Sequence, residues 1–316
     1  MRRVLLLVAA LLAGGPAWAQ TGSPARPLRV VVPYAPGGSS DVLARLLQPH
    51  LSAALGQVVV VENRPGAGAQ IGIEAVARSE PDGLTVLLTD NALAVLPAVS
   101  ERLPYDTRAD LAPVTQLGRA PYLLAVRADL PASALGAFIA LGRVRPEALS
   151  VGAGGVTGQI VAALIEQAMG LRLTLVPYRG GAPAVADLAG GRLDAMPTLQ
   201  GTIAAQLAAG QVRAIGVLAS ERLPSLPDLP TLREQGHDLV MELWQGLLVP
   251  ARTPPGLVAR LAAAGAAAVR SPEIAGRLEA LGIMPQAQGP VAFGALIAAE
   301  TARYAAIAQA RGIRAQ

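Results

Sequence analysis

Residues 28–90 read "LRVVVPYAPGGSSDVLARLLQPHLSAALGQVVVVENRPGAGAQIGIEAVARSEPDGLTVLLTD". Three short apolar runs, "LRVVVPY", "QVVVVEN" and "LTVLLTD", alternate with two runs of helical periodicity, 41–55 and 69–79. Uninterrupted Val/Leu runs of this length suit strands buried on both faces, and their alternation with helices is the mark of βαβ units in a parallel sheet. The fold class expected is therefore α/β.

The corner between the first strand and helix carries the first functional question. Pro33 and Pro36 stiffen it, Gly37 and Gly38 remove side chains where the chain turns, and Ser39, Ser40 or Asp41 can cap a helix starting near Val42. Helix N-terminal amides lack intrahelical acceptors and carry partial positive charge, so an anion is favoured there. A plain turn capped by its own Asp41 reads equally well from these residues alone.

Working outward, the same strand–corner–helix pattern returns. "PYLLAVRADL" follows a looser stretch from 103 to 113, a helix is expected from about Ser133, and "LSVGAGGVTGQ" leads into a helix ending near Met169. "LRLTLVPYRGG" is a further strand and corner; "GRLDAMPTL" and "VRAIGVLAS" are strands, with helices over 184–188 and 204–209. The Pro-rich "ERLPSLPDLPTLREQG" looks like an exposed connector. After it come the strand "ELWQGLLVP" and Ala-rich helices, interrupted near "LGIMPQAQGP". A strand and helices after the second pattern suggest that the chain returns to its first domain. The expected division is a signal peptide over 1–19, a discontinuous first domain over 20–120 and 222–316, and a second domain over 121–221.

Arg2 and Arg3, the apolar run 4–13 and the small–x–small triplet Ala17-Trp18-Ala19 make a secretory signal with cleavage after Ala19. The expected location is periplasmic. No later apolar run reads as a membrane span, because Gly, Pro or Arg interrupts each one. Removing Arg2 and Arg3 lowers the formal charge from +4 to +2, and the arginines are scattered. Nucleic acid is not an expected partner.

Composition removes whole chemistries. The 316-residue chain has no cysteine, and all 26 basic residues are arginine. Thiol nucleophiles, thiolate metal sites, a Schiff-base lysine and a Walker-A lysine are thereby excluded. The two histidines, His50 and His237, stand in no metal-ligand spacing, and no G-x-S-x-G elbow occurs. "GAGAQIG" from Gly66 and "GAGGVTG" from Gly152 each exceed the dinucleotide spacing by one residue. Glu62 and Asp90, at the ends of successive strands, could pair as carboxylates, but strand-end acids more often cap and solvate. No catalytic residue, metal site or cofactor is expected.

The blocks "VVPYAPGGSSDVLARLL", "VVVVENRPGAGAQIGIEAVARSEPDGLTVLL", "LPYDTRADLAPVTQLG", "VPYRGGAPAVADLAGGRLDAM", "LPSLPDLPTLREQG" and "WQGLLVPARTP" follow one another in this order. That series resembles the Bug/TctC family of extracytoplasmic solute receptors over nearly the whole chain after the signal. The resemblance implies a two-lobed, type II-like periplasmic binding protein fold, with two α/β lobes joined by a two-crossing hinge. It further implies a small carboxylate ligand in the cleft, delivery to the membrane permease subunits of a tripartite tricarboxylate transporter, and a monomer without enzymatic activity. A sensor protein as partner, or an exported hydrolase using the same cleft, are the alternatives.

Carried over position by position, the family's ligand loops fall on Tyr34, Ala35, Gly37, Gly38, Ser39 and Asp41 in the first lobe. In the second they fall on Gly154, Gly155, Val156 and Thr157, with Asn91 and Thr198 as wall residues. The chain departs from its relatives at Ala153 and Gly154, where hydroxyls are common, at Ile160, near a usual His, and at Pro197, where many place Asp or Asn. Fewer side-chain donors imply a more apolar pocket, open to an aromatic or other monocarboxylate or to a neutral compound. Arg179 is a candidate for added positive potential.

Overall fold

A computed structural model describes residues 26–314 except Arg179; the expected signal peptide lies outside the described residues. In chain order the strands are β1 (Leu28–Val32), β2 (Val59–Asn63), β3 (Thr85–Asp90), β4 (Leu111–Arg127), β5 (Ser150–Gly154), β6 (Thr174–Tyr178), β7 (Ala195–Leu199), β8 (Val212–Val217), β9 (Glu242–Pro250) and β10 (Met284–Gln288). The helices are α1 (Ser39–Leu55), α2 (Gln70–Ala77), α3 (Ala92–Val99), α4 (Leu135–Val144), α5 (Gly155–Met169), α6 (Gly181–Ala189), α7 (Gln200–Ala208), α8 (Pro255–Arg270), α9 (Pro272–Ala280) and α10 (Pro290–Arg311).

The strands form one curled sheet in the order β2-β1-β3-β9-β4-β7-β5-β6, with β8 and β10 also pairing to β4. Parallel pairing holds where the sequence alternates strand and helix: β1 with β2 and β3, and β5 with β6 and β7. The strands around β4 are antiparallel. This is the two-lobed α/β architecture expected from the sequence.

The lobes are joined by the long strand β4, which begins at Leu111, at the end of the stretch 103–113 that reads as loose. Its first part, Leu111–Pro121, pairs with β9, and its last part, Tyr122–Arg127, pairs with β7 and β8. The chain returns past the same point. Tyr122 N–H donates to Met241 O at 3.0 Å, Leu218 N–H to Tyr122 O at 2.8 Å, and Met241 N–H to Leu218 O at 2.8 Å. The outgoing and returning segments are thus hydrogen-bonded to each other, which limits how the lobes can move independently.

Two further elements depart from the sequence reading. The stretch 92–99 is helical, and the interruption in the tail contains β10, which pairs antiparallel with β4 near Gly118. A Pro at 285 disfavours a strand locally, yet an edge position tolerates its missing N–H; the pairing is long-range and has no local signature.

Apolar burial follows the layers. One core cluster fills the face between the sheet of the first lobe and α1, α8 and α9; another fills the second lobe around Val185, Leu188 and Ile203. The third runs across both lobes, from Val31 and Leu87 through Leu93 to Phe138, Ile160 and Ile165. α10 helps to close this shared core, burying Phe293, Ile297, Tyr304 and Ala308 against β4, α3 and α5. Among the described residues it is the one helix long and apolar enough to cross a membrane, but that buried stripe ties it to the globular core. The ring of Trp244 meets that of Phe293 edge-on, with centroids 5.1 Å apart. At the lobe junction a groove remains, lined by residues of both lobes.

Candidate functional site

Two glycine corners face each other across that groove. Tyr34, Ala35, Pro36, Gly38, Ser39, Ser40 and Asp90 of the first lobe, with Gly180, Gly181, Ala182 and Pro183 of the second, line a cavity of about 550 Å³. It adjoins a cavity of about 380 Å³ whose lining also includes Gly38, Ser39 and Ala182. Together they make one cleft with two chemically distinct ends.

The first corner is held by its own side chains. Gly37 turns with φ +87°, the left-handed region that favours glycine. Its N–H donates to Asp41 Oδ2 at 2.9 Å; Asn63 Nδ2 donates to Asp41 Oδ1 at 2.9 Å and to Tyr34 O at 3.1 Å; Arg45 Nε completes the set at 3.0 Å. Burial alone would raise the Asp41 carboxyl, but the hydrogen bonds from Arg45, Gly37 and Asn63 and the Arg45 charge outweigh it and hold it below its ordinary range. Asp41 therefore braces the loop, and α1 begins at Ser39 with no side-chain cap. Its first amides remain available to a ligand.

The second corner repeats the design. Val32-Pro33-Tyr34 leads to Gly37-Gly38 and α1; Val176-Pro177-Tyr178 leads to Gly180-Gly181 and α6. α6 also lacks a side-chain cap, as does α7, whose Gly201 and Thr202 line the smaller cavity. Three uncapped helix starts thus open on one cleft, and their partial positive charge favours an anion.

The cleft floor is polar on one side. Asp90 and Gln245 are cross-strand partners of β3 and β9, so their side chains share a sheet face. Asp90 Oδ1 accepts from Tyr34 Oη and from Ala92 N–H, and Ser40 adds a further hydrogen bond. Burial pushes the Asp90 carboxyl up, against these three bonds. Burial and the neighbouring Asp90 likewise push the Tyr34 hydroxyl well above its ordinary value. Gln245 Nε2 lies 3.1 Å from Ser40 Oγ, while its Oε1 is buried without a partner. The other end is apolar: Val42, Ala120, Leu199, Leu243, Leu281 and Ile283 form the wall of the smaller cavity.

The structure brings Tyr34, Ala35, Gly37, Gly38 and Ser39 to the cleft and sets Asp41 behind them as the brace. Asn91 is turned away, fully buried: its Nδ2 donates to Glu242 O, Glu300 Oε2 and Tyr304 Oη, and its Oδ1 accepts from Trp244 N–H. Thr198 is buried on β7 opposite Leu123, one residue before Leu199 on the wall. Gly154, Gly155, Val156 and Thr157 are absent from the lining of both cavities; Gly154 packs directly behind Gly180-Gly181. Arg179 lies outside the described residues.

The residues that sequence reasoning passed over are Asp90, Gln245, the 180–183 corner and the wall from α9 and β10. The repeated Val-Pro-Tyr before a Gly-Gly pair was the available signal for the second corner. Nothing local marks Gln245 or Leu281, which reach the cleft through the returning chain. Among the described residues, no group of three or more His, Asp and Glu side chains is placed to hold a metal ion.

Comparison with known proteins gives this arrangement a context. The profile of the family described as tripartite tricarboxylate transporter family receptor matches residues 43–313. Protein BugT of Bordetella pertussis is 34% identical over 296 residues, covering 92% of this chain and 91% of that one. Among solved structures, R. palustris Rpa4515 with adipate has a TM-score of 0.83 and 31% identity, covering 93% of this chain and 99% of that one. MatC of Rhodopseudomonas palustris with bound malate has a TM-score of 0.78 and 31% identity, covering 90% and 99%.

Proposed function

The chain belongs to the tripartite tricarboxylate transporter receptor family, periplasmic binding proteins rather than enzymes, and from that premise we propose that its cleft captures a small carboxylate for a membrane permease of the tripartite type. The observation that carries the reading is the pair of glycine corners, Gly37-Gly38 and Gly180-Gly181, each starting an uncapped helix on the same cleft.

The ligand carboxylate lies between the start of α1, at Gly38 and Ser39, and the start of α6, at Gly181 and Ala182. Backbone amides supply most of the donors, because glycines let the ligand approach the main chain. The rest of the solute extends toward Leu199, Leu243 and Ile283. Contacts from both lobes form together only in the closed state, so ligand shifts the population toward closure. The bound, closed form is what a permease would read. Export after cleavage at Ala19 places the receptor where such a solute arrives.

A thermal-shift screen of the protein from Gln20 onward against a carboxylate library tests this. A true ligand raises the melting temperature, since only the native state binds it, and is recovered unchanged. A library without a stabilising carboxylate, or turnover of a hit, overturns the reading.

A further inference from the structure

The cleft contains a carboxyl group that a simple carboxylate receptor does not need. Asp90 lines the larger cavity beside Gly38, Ser39, Gly181 and Ala182, the residues to which the ligand carboxylate is assigned above. Its side chain is not spent on an ion pair: among the described residues no Arg or His lies within salt-bridge distance of it, whereas Asp41, Asp129, Asp187 and Asp194 each pair with an arginine. A carboxylate offers about four acceptor positions; Tyr34 Oη, Ala92 N–H and Ser40 account for three.

All three are neutral donors; each favours the ionised form, but burial outweighs them and the Asp90 carboxyl is raised, so the group still lacks a cationic partner among the described residues. The bland role, capping the start of α3 through Ala92 N–H, uses one oxygen and does not explain why Tyr34 and Ser40 also converge there. Beside Asp90 on the same sheet face, Gln245 Oε1 is a second acceptor, buried and unpartnered.

From this geometry we infer that Asp90 is a specificity-determining residue that selects a solute bearing a protonated amine, so that the ligand is an amino-substituted carboxylate and not a dicarboxylate. The inference rests on the receptor reading above. An ammonium brings up to three donors and a positive charge that favours the ionised form of Asp90, and a charge-assisted bond to a carboxylate is about twice as strong as a neutral one. A second ligand carboxylate in the same place would meet ionised Asp90 as a like charge and add to the burial that already raises its carboxyl. The solved relatives that carry adipate or malate hold ligands with two carboxylates; the chemistry of this floor runs the other way.

Isothermal titration with matched skeletons tests the assignment: 2-aminobutyrate, 4-aminobutyrate, 4-hydroxybutyrate, butyrate and succinate, then 6-aminohexanoate, hexanoate and adipate. In at least one set the amino acid is expected to bind tenfold or more tighter than its unsubstituted, hydroxylated and dicarboxylate counterparts. Asp90→Asn, which keeps an acceptor for Tyr34 and Ala92, is expected to collapse that ratio toward one. If carboxylates bind but the dicarboxylate, the hydroxy acid or the plain acid matches the amino acid, the inference falls while the receptor reading stands. An unchanged ratio in Asp90→Asn overturns it too. If no member of either set or of the wider library binds, the receptor reading falls with it. The ranking in the wild-type protein decides the matter even if the variant fails to fold.

Discussion

Gly154 packs against the backbone of Gly181: a Cβ at position 154 would lie 3.0 Å from both Gly181 N and Cα, and 3.2 Å from Gly180 C. The corner between β5 and α5 is therefore the backing of the corner that lines the cleft. Gly154 itself has φ −75° and ψ 101°, open to any residue, so the need for glycine comes from contact alone. Gly154→Ala must push Gly180-Gly181 toward the cleft. Overpacking of this kind costs about 1–3 kcal/mol. The expected outcome is a lower melting temperature and a weaker affinity for the tightest carboxylate of the library. Unchanged affinity would separate the two corners functionally.

Gly38 and Gly37 make the complementary pair. Gly38 has φ −73° and ψ 165°, and the atom nearest to a Cβ built there is Ala35 O at 3.6 Å. A side chain at 38 thus strains nothing and projects into the cleft. Gly38→Val is expected to reduce ligand affinity at least tenfold with little change in melting temperature. Gly37→Ala acts through φ +87° and costs about 1–2 kcal/mol of stability. Calorimetry and thermal denaturation of the two variants should give opposite patterns; a large stability loss in Gly38→Val would count against an open cleft at that position.

The α/β class and the first corner were legible because they are local: three Val-rich runs, two helical periods and a Pro/Gly turn lie within residues 28–90. The second half of the site was legible only in part. "VGAGGVTGQ" and "VPYRGGAP" both place glycines before a helix, and their chain patterns do not say which one faces the groove. The structure puts the second in the lining, with the first one layer behind. Asp90 and Asn91 show the same limit at single-residue scale. The strand end puts them on opposite sides, so Asp90 meets the cleft and Asn91 the buried face toward α10. The floor and wall from Gln245, Leu281 and Ile283 depend on the returning chain, and no local periodicity encodes a pairing so distant in sequence.

Asp41 links a titration to the shape of the site. Its folded-state pKa is depressed, so its contribution to stability is present above the ordinary carboxyl value of 3.8 and is lost as pH falls through the depressed one. Asp41→Ala removes the acceptor for Gly37 N–H and one of the two acceptors of Asn63 Nδ2, and hydrogen bonds to a charged group are worth about 1.5–3 kcal/mol each. The variant should lose stability at pH 7, lose ligand affinity as the corner relaxes, and show a shallower loss of stability below pH 4 than the wild type. Equal acid sensitivity of the two proteins would remove Asp41 from this role.

Glu300 titrates in the opposite sense. On α10, its Oε2 accepts from Trp244 Nε1 at 2.6 Å and from Asn91 Nδ2 at 3.1 Å. Burial pushes its pKa up to about 7; the hydrogen bonds from Trp244 and Tyr304 and the charge of Arg303 oppose this, and the charge of Glu242 adds to it. The folded protein thus holds this proton up to about pH 7, whereas the unfolded chain releases it near 4.5. Between those values the folded state binds more protons, so stability falls as pH rises. The contribution is complete below about 4.5 and lost through about 7. Melting temperature should therefore decline between pH 5 and pH 8. Glu300→Gln, which retains an acceptor for Trp244, should flatten the decline. Because the titrating carboxyl is hydrogen-bonded to the indole, Trp244 emission should shift with a midpoint near pH 7 in the wild type and not in the variant. A pH-independent Trp244 signal would show that Glu300 keeps one protonation state throughout.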